Sequence, residues 1–324
     1  MKTVKLILAT ALITMLALGL SASPSPAASD FPQKDITLIV PWAAGGGTDL
    51  VARQIAALME KETGKTVVVI NKPGGGGLIG FQTLAAAKPD GYTLGLTTNS
   101  MLLQKYASVN FLDYKALNHF IMVNEDPAAL TVPANAPWKS VGEFVAAAKE
   151  KPGTLRVSNS GPGAIWHASA MMFEKVAGIK IVHVPYDGAN PAGVAAAGGH
   201  VEATFVSPGE VSSLVAAGKL RTIAITGDQR LANFPNLPTF KEEGVDLVTG
   251  VWRAIAAPAK TPPAVIAKLE EIIKKCIETQ QYQDFLKNAN LGYRYMDSKA
   301  MAGYLAKQDA DYAVIFKDNA ATKK

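Results

Sequence analysis

The sequence predicts an α/β protein of two doubly wound lobes. Short apolar runs alternate with amphipathic helical stretches in two separate series, and three glycine-rich turns each stand where a strand hands over to a helix. Such alternation is the pattern of sheets flanked by helices on both faces.

The elements follow in chain order. Lys2 and Lys5 precede an apolar run from Leu6 to Leu20 and a small-residue, proline-bearing segment SASPSPAASD, the three-part layout of a secretory signal peptide. The run is about 15 residues, short of the roughly 20 that span a bilayer. Residues 1–29 are therefore expected to be a cleaved leader, and the mature chain a soluble, periplasmic or otherwise extracytoplasmic protein. The apolar runs ITLIV, TVVVI and YTLGLTT then read as strands with helices between them. In the first helix Leu50, Ile55, Leu58 and Met59 share a face, and Gly64 stands at the C-terminal cap position. A shorter helix around residues 79–87 ends in Lys88-Pro89-Asp90-Gly91, a turn sequence.

A second series starts after Pro133, with helix SVGEFVAAAKE, strand LRVSN, helix AIWHASAMMFEKVAG, strand IVHVPY, a helix through Ala192 to Ala197, and strands VEATFV and LRTIAIT. AALTVPA and VWRAIAAPA read as the two segments that cross between lobes, and a helical region closes the chain. The expected division is residues 30–130 with 253–324 in lobe 1 and 131–252 in lobe 2.

Composition narrows the function. The formal charge is +5, from 32 basic and 27 acidic residues, and falls to +3 without Lys2 and Lys5. That is too weak and scattered for a nucleic-acid footprint. The single cysteine, Cys276, cannot form an internal disulfide, so the fold must rest on its hydrophobic core. About 295 mature residues suffice for two such lobes.

The three glycine turns are Ala44-Gly45-Gly46-Gly47-Thr48-Asp49, Pro73-Gly74-Gly75-Gly76-Gly77 and Ser160-Gly161-Pro162-Gly163-Ala164. Each presents bare backbone N–H groups at a helix N-terminus, an anion site made without cations. Each is equally the form of a plain capped turn, and it is their occurrence in both series that favours binding. In open α/β sheets they lie at the carboxyl edge, where ligands bind. Gly75, Gly77 and Gly80 fit the spacing of a dinucleotide fingerprint, but the next strand ends Leu96-Thr97-Thr98-Asn99, without the acidic residue a ribose needs. Met59 stands where a phosphate loop ending at Gly64-Lys65-Thr66 requires glycine. Four histidines and one cysteine show no metal-ligand spacing, and Ser158-Asn159-Ser160-Gly161-Pro162 lacks the flanking glycines of a hydrolase elbow. No cofactor, metal or catalytic residue is expected.

Single residues carry two readings each. His167, in the first turn of its helix, either contacts a ligand or packs; Trp42 is a pocket wall or core. Arg253 pairs with a ligand carboxylate or with Glu or Asp of either lobe, the structural pairing being favoured. Asp49 and Arg53, four apart, form a bracing ion pair in the plainer reading.

These residues resemble, over nearly the full length, the substrate-binding proteins of tripartite tricarboxylate transporters, the Bug family. The resemblance is carried by Pro41 to Asp49 (PWAAGGGTD) with Ala52-Arg53, by Asn71 to Gly77 (NKPGGGG) with Gly80, by Lys88 to Leu94 (KPDGYTL), by Gly161-Pro162-Gly163 with His167, by His183 to Gly188 (HVPYDG), by Gly198 to Glu202 (GGHVE), and by Ala257-Pro258. It implies a two-lobed periplasmic binding protein fold of the type II kind, closing around an organic acid in the interdomain cleft and delivering it to the permease subunits of a membrane transporter. It also implies that the first two glycine loops hold the carboxylate, with Trp42, Gly46, Thr48 and Asp49 on one side and Gly76, Gly77 and Leu78 on the other. Asn99, Gly161, Gly163, Ala164, His167, Asp187 and Trp252 complete the expected lining. Three positions depart from the family pattern: Trp42 for the usual tyrosine, Ala164 for a frequent serine, and Glu202 for the usual aspartate. A monomer is expected. The competing functions are an exported enzyme acting on a carboxylate and a receptor that serves a sensor kinase.

Overall fold

The computed structural model describes residues 31–107 and 110–317. The predicted leader lies outside the described residues. Among the described residues no helix is long and apolar enough to cross a membrane.

Two five-stranded sheets, each flanked by helices, form the fold. The first sheet takes β1 (Ile36–Val40), β2 (Val67–Asn71), β3 (Thr93–Thr98), β4 (Leu117–Pro127) and β10 (Gly250–Pro258), in the order β2-β1-β3-β10-β4. The second takes β5 (Ala129–Pro133), β6 (Arg156–Asn159), β7 (Val182–Pro185), β8 (Ala203–Val206) and β9 (Leu220–Ile225), in the order β7-β6-β8-β5-β9. β1, β2 and β3 run parallel, as do β6, β7 and β8. The sheets are nonetheless mixed rather than parallel throughout, because β10 runs antiparallel to both neighbours and so does β5.

The helices are α1 (Gly47–Thr63), α2 (Leu78–Ala85), α3 (Ser100–Ala107), α4 (Val141–Glu150), α5 (Ile165–Ala177), α6 (Ala189–Ala197), α7 (Ser212–Ala216), α8 (Pro263–Ile277), α9 (Gln280–Asn288) and α10 (Ser298–Ile315). α1 illustrates why they form where they do. Val51, Ile55, Leu58 and Met59 are buried on one face at helical spacing, with Leu50 only half-buried beside them. Gly64 ends the helix in the left-handed region (φ 67°), its N–H donating to the Glu60 carbonyl.

The segments read as crossings are whole strands of one sheet each, and the chain crosses beside them. β4 leads into β5 through Ala128, and the return runs from Ile225 to Gly250. The two connections are tied together: the Ala128 N–H donates to the Thr249 carbonyl (3.1 Å), the Thr226 N–H to the Ala128 carbonyl (2.9 Å), and the Thr249 N–H to the Thr226 carbonyl (3.1 Å). The core is continuous across this junction, running from Leu130, Phe173 and Phe205 to Trp252, Met301 and Tyr312. Cys276 is buried on α8, and burial pushes its thiol up to about 12, so it packs as a small apolar group.

His119 on β4 gives the fold an acid limit. Its Nε2 donates to the Tyr114 carbonyl (3.2 Å), which leaves Nδ1 to accept from the Thr97 hydroxyl (2.9 Å). Burial holds its pKa down at about 4, against about 6.5 in an unfolded chain. Between those values the unfolded state binds a proton that the folded state refuses, so stability is full above pH 6.5 and declines as pH falls towards 4. His119 alone should contribute about 3 kcal/mol to that decline, and His167, held at about 4 by burial and by His183, acts in the same direction. Urea unfolding of wild type and His119→Phe between pH 7 and pH 4 checks this. An undiminished slope in the variant would place the acid sensitivity elsewhere.

Candidate functional site

The carboxyl ends of parallel strands from both sheets, with the amino end of antiparallel β10, converge on one small cavity. It is lined by Trp42, Ala43, Gly46, Thr48 and Asp49 after β1, Thr98 of β3, Ser160, Ile165 and Trp166 after β6, Ala189 after β7, Glu210 after β8, and Val251 and Arg253 of β10. Its volume is about 20 Å³, room for about one water molecule. A second, open groove of about 540 Å³ lies at the loops above, lined by Ala43, Gly75, Gly76, Gly161, Pro162, Pro185, Tyr186, Asp187 and Pro191.

Direct bonds join the two sides of this cleft. The Ala43 N–H donates to the Asp187 carbonyl (2.9 Å), and the Asn190 side chain to the Ala44 carbonyl (3.1 Å). The Ile165 N–H, at the start of α5, donates to the Ser100 hydroxyl of α3 (3.0 Å). Gly76 lies so close to the third loop that a Cβ there would stand 2.3 Å from the Pro162 carbonyl oxygen and 3.0 Å from the Ala164 nitrogen.

Arg253 is the electrostatic centre. It is fully buried, and its guanidinium makes bonds in three directions. Nε donates to the Thr48 hydroxyl (3.0 Å), Nη2 to Glu210 Oε1 (3.0 Å), and Nη1 to Asn124 Oδ1 and Asp126 Oδ2. Asn124 and Asp126 share a face of β4 because they are two residues apart. Asp126 also accepts from the Gly292 N–H (2.7 Å). Glu210 reaches the same point from the opposite sheet: Oε1 accepts from the Gly47 N–H in the first turn of α1 (3.1 Å), and Oε2 from the Ser207 N–H (3.1 Å). Burial pushes the Glu210 carboxyl above the ordinary carboxylate value, against the pull of Arg253.

The residues expected from the sequence divide into groups. Trp42, Gly46, Thr48 and Asp49 line the cavity, and Gly76, Gly161 and Asp187 line the open groove. The Asp49 carboxylate is already engaged, accepting from the Gly45 N–H (2.9 Å), Arg53 Nε (2.9 Å) and Asn71 Nδ2 (2.9 Å). Burial alone would raise its pKa, but these bonds outweigh it and hold the group below the usual value. Asp49 therefore braces the first glycine loop, as the plainer reading of the Asp49 and Arg53 spacing expects.

Gly77 packs under Trp42 and Phe81, and Leu78 begins α2. Gly163 lies against Gln104 and Ala107 of α3, and Ala164 is the buried N-cap of α5. Three expected residues face elsewhere. The His167 ring packs edge-on to His183 at 4.9 Å, and Asn99 donates to the Gly250 carbonyl (2.8 Å) and the Tyr312 hydroxyl (2.9 Å). The Trp252 indole N–H donates to Gln308 (2.6 Å) and borders a separate cavity beside the crossing. Glu202 pairs in two bonds with Arg156 (3.0 and 2.7 Å), at the end of β6 remote from the cavity.

Glu210 and Ser160 were not foreseen, whereas Arg253 pairs with an Asp from one side and a Glu from the other, as the favoured reading expects. A signal for Glu210 exists: the strand VEATFV is followed at its carboxyl end by Ser207-Pro208-Gly209-Glu210, the same edge that drew attention to the glycine loops. Among the described residues no group of three or more His, Cys, Asp or Glu is placed to hold a metal.

Known proteins carry the same architecture. The family described as the tripartite tricarboxylate transporter family receptor matches residues 51–320. The "UPF0065 protein in gbd 5'region" of Cupriavidus necator is 34% identical over 292 residues, covering 90% of this chain and 89% of that protein. Among solved structures, the periplasmic binding protein BugD superposes with a TM-score of 0.85 at 28% identity, covering 89% of this chain and 98% of that one. MatC from Rhodopseudomonas palustris with bound malate gives 0.81 at 25% identity, covering 90% and 100%. The matched span and the two-sheet fold agree with the resemblance read from the glycine loops, and the chain belongs to the tripartite tricarboxylate transporter receptor family.

Proposed function

We propose that this solute receptor captures a small organic carboxylate between its two sheets, outside the cytoplasm, and hands it to the permease of a tripartite transporter. One observation carries the choice of ligand class: a buried guanidinium, Arg253, and the N-terminal N–H of α1 converge on one point at the carboxyl edge. That combination suits a carboxylate, and the malate bound to MatC is one. Trp42, Gly46 and Thr48 are the proposed inner wall, and Gly76, Gly161 and Asp187 the proposed rim. A cavity of about 20 Å³ is smaller than any such acid, so uptake requires the two sides to part and close again.

A thermal-shift screen of mono-, di- and tricarboxylates tests the proposal. A ligand at 100 times its dissociation constant should stabilise the fold by about 2.7 kcal/mol. Stabilisation by sugars or amines with none by carboxylates would overturn the ligand class.

A further inference from the structure

We propose that Glu210 is a built-in carboxylate that holds the anion position of the cleft until a ligand carboxylate displaces it. This rests on the reading that the cleft binds carboxylates, and it adds a competitor that belongs to the chain itself.

The geometry is that of a bound acid. Glu210 Oε1 takes the first-turn N–H of α1, at Gly47, and a guanidinium N–H of Arg253, both from the first sheet's side, while Glu210 itself is rooted in the second. Its side chain is only 3% exposed. Gly47 is shaped to this arrangement, since a Cβ there would lie 2.4 Å from Arg253 Nη2 and 2.9 Å from Glu210 Oε1. A further polar atom points to a ligand larger than this side chain: Trp42 lines the same cavity and its Nε1 is buried without a partner. Glu210 leaves it unmet.

A further carboxylate has no place beside Glu210. The adjoining space holds about one water, and Arg253 already carries two carboxylates, Asp126 and Glu210, so a third beside them would be repelled by both. Ligand binding and the Glu210 contact are therefore mutually exclusive. Glu210 stands on the short turn Gly209–Val211 between β8 and α7, so its departure does not require a strand to move. In its resident position it joins the two sides of the cleft, and on leaving it transfers that role to the ligand.

Glu210→Gln and Glu210→Ala test this with two probes, malate and acetate. Malate titrated calorimetrically should bind Glu210→Gln at least tenfold tighter than wild type, because the amide gives up the guanidinium more readily than the carboxylate does. Acetate should raise the Tm of Glu210→Ala saturably above an equal concentration of chloride, by filling the vacated position, and leave wild type unmoved. Malate binding to Glu210→Gln that is equal to or weaker than wild type overturns the proposal, since Glu210 would then be neutral to the ligand or assist it. A Glu210→Ala protein indifferent to acetate overturns it as well. If acetate raises the Tm of Glu210→Ala while malate binds neither wild type nor Glu210→Gln and no acid of the screen binds wild type, the anion position stands and the carboxylate receptor reading falls.

Discussion

Arg253→Ala is expected to remove roughly 3–5 kcal/mol of folding stability. The substitution leaves Asp126 and Glu210 buried with no cation, and strips Thr48 and Asn124 of their donor. The loss comes from unpaired buried charge more than from the missing attraction, which separates this change from truncation of an ordinary apolar side chain. Adding Glu210→Gln to Arg253→Ala should recover part of the loss, since one of the two stranded negative charges disappears. Urea unfolding of the single and double variants measures both effects. A loss below about 1 kcal/mol, the value of an exposed pair, would mean that water reaches the network.

Gly76→Ala is expected to hold the two sides of the cleft apart. The residue lies in the left-handed region (φ 61°), and its added Cβ would meet backbone atoms of the third glycine loop. Backbone cannot swing aside as a side chain does. Gly75→Ala is the control, because φ is nearly the same (60°) while the nearest atom is the Leu78 Cβ at 3.3 Å. Both variants carry the conformational cost of a left-handed alanine, about 1–2 kcal/mol, and only Gly76→Ala carries the collision. Carboxylate affinity should fall at least tenfold more in Gly76→Ala than in Gly75→Ala, in proportion to the lost population of closed molecules. Small-angle scattering should give Gly76→Ala the larger radius of gyration. Equal behaviour of the two variants would remove the loop contact from the closure.

What the sequence displayed, and what it concealed, follows from the range of the interactions. β1, β2, β3 and α1 were legible because periodicity and capping are local, and the glycine loops because their composition is. β4 was missed: LNHFIMVNEDP ends in polar residues that are stable there because Arg253, more than 120 positions later, bonds Asn124 and Asp126, with the Gly292 backbone bonding both as well. Trp252 and Arg253 show a subtler limit. Adjacent residues on a strand face opposite sides, so one of the two meets the glycine loops. Val251 and Arg253 line that cavity, and Trp252 lines the other. Trp252 was expected in the lining, and only the register of β10 between β3 and β4 decides the parity. Glu210 was hidden for the same reason as β4, since the Gly47 N–H that it accepts lies 163 residues away.

The place of β10 also dictates an order of assembly. All five strands of the second sheet come from one stretch, residues 129–225, whereas the first sheet has a gap between β3 and β4 until residues 250–258 enter it. A chain emerging N-terminus first therefore holds every strand of the second sheet while the first is still in two pieces. Closing that gap joins β10 to β3 across more than 150 residues, a loop whose entropic cost must be met before any pairing offsets it. Arg253 enters with β10, so the charges of Asp126 and Glu210 stay hydrated until the last strand brings their counter-ion. The anion position thus forms only once the last strand has entered, with α8, α9 and α10 following it in the chain.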